Sequence, residues 1–153
     1  MNKLLTLINR LESKIPELDK KNESVSQNGV GWHIQHSILV VQRIISAVEG
    51  SNPASYSRTF NFSRTLVFTL NKIPRGRGKA PKSVVPTGIF TTESLYTEVQ
   101  QLKIRINVLD TLNSNQYFEH PYFGKLNLKA TRKFLEIHTL HHLAIMDDII
   151  AAV

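Results

Sequence analysis

Leu4, Leu5, Ile8, Leu11, Ile15 and Leu18 fall on one side of a helical wheel, and this stripe predicts a first helix from about Lys3 to Leu18. The polar run DKKNESVSQNG that follows reads as a connection. A second helix is predicted from Val30 to Glu49, stopped by Gly50 and the loop-like SNPASYS. It is apolar on two sides: Trp32, His36, Leu39, Val40 and Ala47 share one, and Ile34, Ile38, Val41 and Ile45 the opposite one. Such a helix must be covered twice, by a core on one side and by either the long connection or a second subunit on the other. A third helix starts at a Thr91/Thr92 cap with Glu93 in its first turn, and Leu95, Val99, Leu102, Ile106 and Leu109 carry it to about Asn113. The fourth starts at an Asn127 cap and runs to the C-terminus, with Thr131, Leu135, His138, His142, Ile145 and Ile149 in one line.

Residues 51–91 are the irregular part, with a short helix or turn around Phe62 to Leu70 and then a Pro- and Gly-rich basic loop ending near VVPTGIF. No stretch sustains period-2 alternation, so a sheet is not expected. Four long helices with one long connection describe an all-α, up-and-down four-helix bundle with a crossover between helices 2 and 3, in one domain over residues 1–153. The two-sided second helix makes a homodimer the expected assembly.

Composition narrows the functional classes. Hydrophobic residues at 41% and charged residues at 20% fit an ordinary globular domain. No window approaches the about 18 apolar residues of a membrane span, and the amphipathic N-terminus has no signal-peptide core, so a soluble, cytoplasmic protein without membrane contact is expected. The absence of cysteine excludes disulfides, thiolate metal sites and a cysteine nucleophile. The net charge is +7, but KIPRGRGKAPK, residues 72–82, holds five cations and no anion, so the rest of the chain carries only +2. That concentration in one loop, without P-loop spacing or a second basic cluster in the sequence, argues against nucleic acid and nucleotide binding. A solvated surface loop is the first reading of this stretch and a lid over an anionic substrate the second.

The chemistry lies in HTLHH, residues 138–142, within a helix that otherwise reads as core. His138 and His142 are stacked one turn apart, with Cβ atoms about 5–6 Å apart, and can aim at one point. His141 is rotated about 100° from His142 and is the poorer third ligand. His36, one turn after Trp32 on the inward side of the second helix, is the better one; His33 points about 60° from that line and ranks below it. Single core histidines are usually satisfied by hydrogen bonds, but an i, i+4 pair with a third inward histidine calls for a common partner. The pair is not the H-E-x-x-H protease motif, because Thr139 follows His138. Three neutral imidazoles suit Zn or Ni first, with Fe, Co and Mn as further options.

Other contributors are weaker. YFEHPYFGKL reads as a capping loop whose Phe118, Tyr122 and Phe123 close the core, with His120 or Tyr117 as a substrate donor or proton shuttle. Arg43, two turns after His36, would meet an anionic substrate or a neighbouring acid. Asp147 and Asp148 lie off the stripe and read as surface charges.

With GWHIQHS on the second helix, YFEHPYFGKL before the fourth and IHTLHH within it, the chain resembles the DinB-like (DinB/YfiT) superfamily of metalloenzymes, most closely a branch with an H-P-x-F-G-x-L signature. Trp32-x-x-x-His36 is similar to the family's first-ligand motif and His138-x-x-x-His142 to its paired ligands. The resemblance runs over nearly the whole chain and implies a four-helix bundle, often dimeric, with a divalent metal on three histidines. Better-known relatives are thiol-dependent transferases and isomerases, among them bacillithiol transferases and mycothiol-dependent maleylpyruvate isomerases. The sequence departs from many of them at Ala144, Ile145 and Met146, where a Gln is common, so a second contact to the ligands is either absent or supplied elsewhere.

The function expected is therefore a metal-dependent enzyme that activates water or a low-molecular-weight thiol for transfer or hydrolysis on a small molecule. His120, Arg43 and His141 are the candidate catalytic residues. The alternative is a non-catalytic metal-binding or interaction module of the same fold.

Overall fold

In the computed structural model, which describes residues 3–76 and 80–153, the first helix, α1, spans Lys3–Glu12 and buries Leu4, Leu7, Ile8 and Leu11. It stops a turn and a half short of the expected Leu18. Pro16 is the reason: its ring removes a backbone donor and disfavours helix at the residue before it. The chain continues instead through a 3-10 turn, Ile15–Glu17, that keeps Ile15 in the core.

α2 covers Val30–Glu49, as expected. Its first turn is clamped to the segment before it, where the Val30 and Gly31 amides donate to the carbonyls of Lys20 and Leu18 at 2.9 Å each. A Cβ on Gly31 would stand 3.0 Å from that Leu18 oxygen, so only glycine fits the approach without displacement. α2 packs on the last helix, on the fourth and on parts of the long connection. Of its two apolar sides, the one with Ile34, Ile38, Val41 and Ile45 is fully buried; on the other His36 and Val40 are buried, Trp32 and Leu39 half-buried and Ala47 exposed.

The connection holds more structure than its composition suggests. Asn61 caps α3, Phe62–Leu70, by accepting the Arg64 amide at 2.8 Å, and 3-10 turns occur at Pro53–Ser55 and Lys82–Val84. α3 buries only Val67 and leaves Phe62, Leu66 and Leu70 exposed. Arg77 and Lys79 of the basic loop lie outside the described residues.

α4, Thr92–Ile106, begins with reciprocal bonds between Thr91 and Ser94 and ends in a 3-10 turn over Asn107–Thr111. The helix was expected to reach Asn113. Val, Asp and Thr are weak helix formers, and the chain tightens while still burying Leu109. α5, Leu128–Ala151, is capped by Asn127 through the Ala130 amide at 3.0 Å. α1 and α2 each pack against both α4 and α5. Fully buried Leu or Ile side chains along these contacts, such as Leu11, Ile38, Leu102 and Leu135, each contribute about 1.5–3 kcal/mol.

The expectation of no sheet is overturned. Strands β1, Tyr117–His120, and β2, Gly124–Asn127, pair antiparallel with Phe118 opposite Leu126 and His120 opposite Gly124. Each strand has four residues, too few for alternation to register. The local signal was the turn itself: Pro121 has the fixed φ a turn opening wants, and Gly124 takes a φ of 68° that glycine adopts without strain. The chain is thus mostly helical with a small two-stranded sheet.

The hairpin loop is organised around His120. Its ring stacks on Phe123 at 4.3 Å and meets Phe134 edge-on at 4.8 Å, while Nδ1 accepts the amides of Tyr122 and Phe123 at 3.1 and 3.3 Å. Phe118 and Phe123 do close the core, but Tyr122 is exposed. Burial pushes the His120 imidazole down to about 4. Below the ordinary value of about 6.5 the unfolded chain then takes up a proton that the folded one refuses. Stability from this residue is full above about pH 6.5 and is lost as the pH falls through the window down to about 4. Urea unfolding of metal-free protein should therefore lose more stability between about pH 7 and 5 in wild type than in His120→Gln, by on the order of 1 kcal/mol after allowing for partial exposure. Equal losses would show that His120 is already as easily charged in the fold as in water.

Candidate metal centre

α2 and α5 carry the three expected ligands to one point. One nitrogen from each of His36, His138 and His142 lies within 4.8 Å of the other two. The rings approach to 4.6 Å between His138 and His142 and 4.7 Å between His36 and His142. His36 and His142 are 4% and 8% exposed, and Trp32 stacks on His36 at 4.8 Å and nearly parallel. The i, i+4 spacings therefore do what the sequence suggested: Trp32 backs His36, and His138 backs His142.

The far side of each ring shows how it is held. Nδ1 of His36 donates to the Val84 carbonyl at 2.8 Å, which leaves the Nε2 lone pair for an ion. The long connection supplies that carbonyl, a backbone contribution with no signature in the sequence. Nδ1 of His138 is buried without a hydrogen-bond partner among the described residues. A polar atom so placed costs a few kcal/mol unless something binds it, and a metal ion is the partner this donor set fits.

His142 is held by His33, which ranks below His36 as a ligand in the sequence and takes a hydrogen-bonding role in the structure. Nδ1 of His33 lies 2.9 Å from Nδ1 of His142, and Nε2 of His33 lies 3.0 Å from the Ser26 hydroxyl. If His142 offers Nε2 to an ion, its Nδ1–H must donate to His33, whose Nε2–H then donates to Ser26. His33 is 3% exposed and off the Trp32–His36 line, as expected. It nevertheless reaches the site because α2 buries His33 and His36 alike. The two-sided apolarity of that helix was the available signal, and it was read only as packing.

All six histidines of the chain are driven toward the neutral form. Burial is the largest cause for each. His138 and His142 fall well below the ordinary range, with neighbouring histidines adding to the effect. His33 is pushed to about 4 by burial and then by the His36, His141 and Arg75 charges. His36 is lowered less freely, because the Val84 carbonyl favours its charged form. Neutral imidazole is the form that ligates, so the fold presents the centre ready for a cation at neutral pH.

The other candidates are sorted by the same geometry. His141 is outside the triad; burial and the Arg75 charge lower its pKa, and it hydrogen-bonds to the Ile73 backbone. Arg43 is exposed, makes no ion pair among the described residues, and stands about 10 Å along α2 from His36 at 1.5 Å per residue. His120 is committed to the hairpin amides, and Tyr117 lies under Lys125 rather than beside the triad. Asp147 pairs with Arg10 and Lys14, and Asp148 with Arg75 at 2.7 Å, as surface charges should. No helix is long and apolar enough to cross a membrane among the described residues.

No family profile, curated protein or solved structure matches the chain.

His33→Ala should leave one binding site per chain but weaken Zn affinity about 10–100-fold, read by competition with a chromogenic chelator. Unchanged affinity would reduce His33 to a packing residue.

Proposed function

We propose that the chain is a DinB-like metal-dependent enzyme, with His36, His138 and His142 holding one divalent ion. The observation that carries this reading is the convergence of three neutral imidazoles from two helices, with the distal nitrogens of His36 and His142 already hydrogen-bonded to fix their orientation. The ring of contacts among α1, α2, α4 and α5 supports a four-helix bundle as the scaffold. The order of the Trp32/His36 and His138/His142 motifs supports the family. The DinB-like family places its metal at such a triad.

Three protein ligands leave a coordination position open, and a Zn or Ni ion held there would supply Lewis acidity to a water or small thiol. The protein's own part is to hold the ligand rings, to keep them uncharged and to exclude water behind them. With no cysteine in the chain, a thiol nucleophile would have to be a low-molecular-weight cofactor. Transfer or hydrolysis on a small molecule is the reaction class that follows. A metal-binding module without catalysis shares every ligand and differs only in lacking an exchangeable position.

Elemental analysis of purified protein should find close to one Zn or Ni per chain, lost in His36→Ala and in His138→Ala. A metal-free wild type that cannot be reloaded would sink the reading. Cobalt-loaded protein should change its visible spectrum with one proton released between about pH 6 and 9, as an open site with bound water does. A pH-invariant spectrum would favour the non-catalytic module.

A further inference from the structure

Sequence reading placed the basic character of the chain in one loop; the fold assembles a second basic cluster from residues far apart. Two open clefts of about 530 and 440 Å³ share Arg58, Arg64 and Phe68 and together form one concavity between α3, the hairpin and the first turns of α5. Lys125, Lys129 and Lys133 complete the second cleft, beside Tyr56. Five cations line this surface and no carboxylate does.

Among the described cations outside the cleft, all but Arg43, Lys72 and Lys82 are ion-paired. Lys14, Lys103, Arg105 and Arg132 each have an acid, and Arg132, next to Lys133 in sequence, turns to Asp110 at 2.6 Å. Among the described residues none of the five cleft cations makes an ion pair, although Glu119 stands opposite Lys125 across the hairpin. Two of them are fixed by neutral groups instead. The Arg64 guanidinium donates to the carbonyls of Thr59, Phe123 and Lys125, and Lys125 Nζ donates to the Ser55 carbonyl at 2.8 Å while lying 4.8 Å over the Tyr117 ring. These contacts orient the charges without cancelling them. The amino-terminal end of α5, capped by cleft residue Asn127, adds its positive dipole end to the same space. Like charges gathered in this way repel one another until an anion neutralises them.

We propose that this concavity binds a small phosphorylated molecule, with Arg58, Lys129 and Lys133 closing on its phosphates, Arg64 and Lys125 as preset cations, and Tyr56 and Phe68 against its apolar part. Guanidinium and ammonium groups together are the usual donors to phosphate oxygens. The volumes fall in the range of small-molecule sites, and all five cations line the second cleft. The other basic cluster is remote: Arg75 is held at Asp148, fifteen residues or about 22 Å along α5 from Lys133. Nothing in this assignment depends on the metal reading.

The test uses full-length protein dialysed against chelator, so that the histidines hold no ion to attract the probe. Inorganic pyrophosphate, titrated calorimetrically at about 0.1 M salt, should bind saturably with Kd below about 1 mM. The double variant Lys129→Gln/Lys133→Gln, with wild-type thermal unfolding, should weaken binding at least about tenfold. Lys14→Gln/Arg75→Gln, whose charges sit at Asp147 and Asp148 near the far end of α5, should change it less than about twofold. Absence of saturation, or equal weakening by both double variants, would overturn the proposal. So would tighter binding of a single-stranded oligonucleotide whose affinity falls steeply with salt, which would assign the surface to nucleic acid.

Discussion

Burying a histidine sets a stricter condition than burying a leucine. The neutral ring has one donor and one acceptor on opposite sides, and each needs a partner once water is gone. Much of this fold follows from meeting that condition. The connection must bring the Val84 carbonyl to His36, the polar segment after α1 must bring Ser26 to His33, and the hairpin must turn its amides onto His120. In each case the partner comes from an irregular segment rather than from a helix. α2 supplies the rings of His33 and His36 and β1 that of His120, and the loops supply what makes them affordable inside. His138 is the exception, with an Nδ1 that no described group satisfies. That unmet requirement stands beside two rings whose far sides are fixed, in a triad close enough to hold a metal ion.

The helices were legible because each carries its signal locally. α2 has its stop at Gly50, α4 its Thr91 cap and α5 its Asn127 cap, and apolar spacing marks the faces between. The triad was legible for the same reason: Trp32/His36 and His138/His142 are i, i+4 pairs on buried faces, and only their mutual approach needed a fold. Errors gathered where the signal is short or nonlocal. Pro16 ended α1 early, although its effect on the preceding residue is a local rule that the apolar stripe masked. The hairpin escaped because four-residue strands cannot display a period, while its Pro and Gly chemistry was read as a cap. His33 and the Val84 carbonyl depend on contacts across 109 and 48 residues, which no spacing encodes.

Charge was misread for a related reason. A count along the chain finds the loop at residues 72–82, because five cations stand close together in sequence. Arg58, Arg64, Lys125, Lys129 and Lys133 are scattered over some seventy residues and become neighbours only when α3 docks on the hairpin. The docking is itself polar. Asn61 donates to the Tyr122 carbonyl and Arg64 to those of Phe123 and Lys125, so the arginine that joins the two elements also charges the space between them.

The hairpin loop links the two candidate sites through one packed row of rings. Phe68 in the cleft meets Phe123 at 6.2 Å, Phe123 stacks on His120 at 4.3 Å, His120 meets Phe134 at 4.8 Å, and Phe134 lies 5.7 Å from His138. Rings in edge and stacked contact leave little room for independent movement, because close-packed interiors transmit a displacement rather than absorb it. His120 is the middle member of that row, and its Nδ1 is pinned by two amides of the turn it helps to form. Its role is therefore one of position: it holds the aromatic wall against which His138 is set. This explains why so polar a residue occupies the centre of an aromatic cluster, since phenylalanine would stack equally well but leave the two turn amides unpaired.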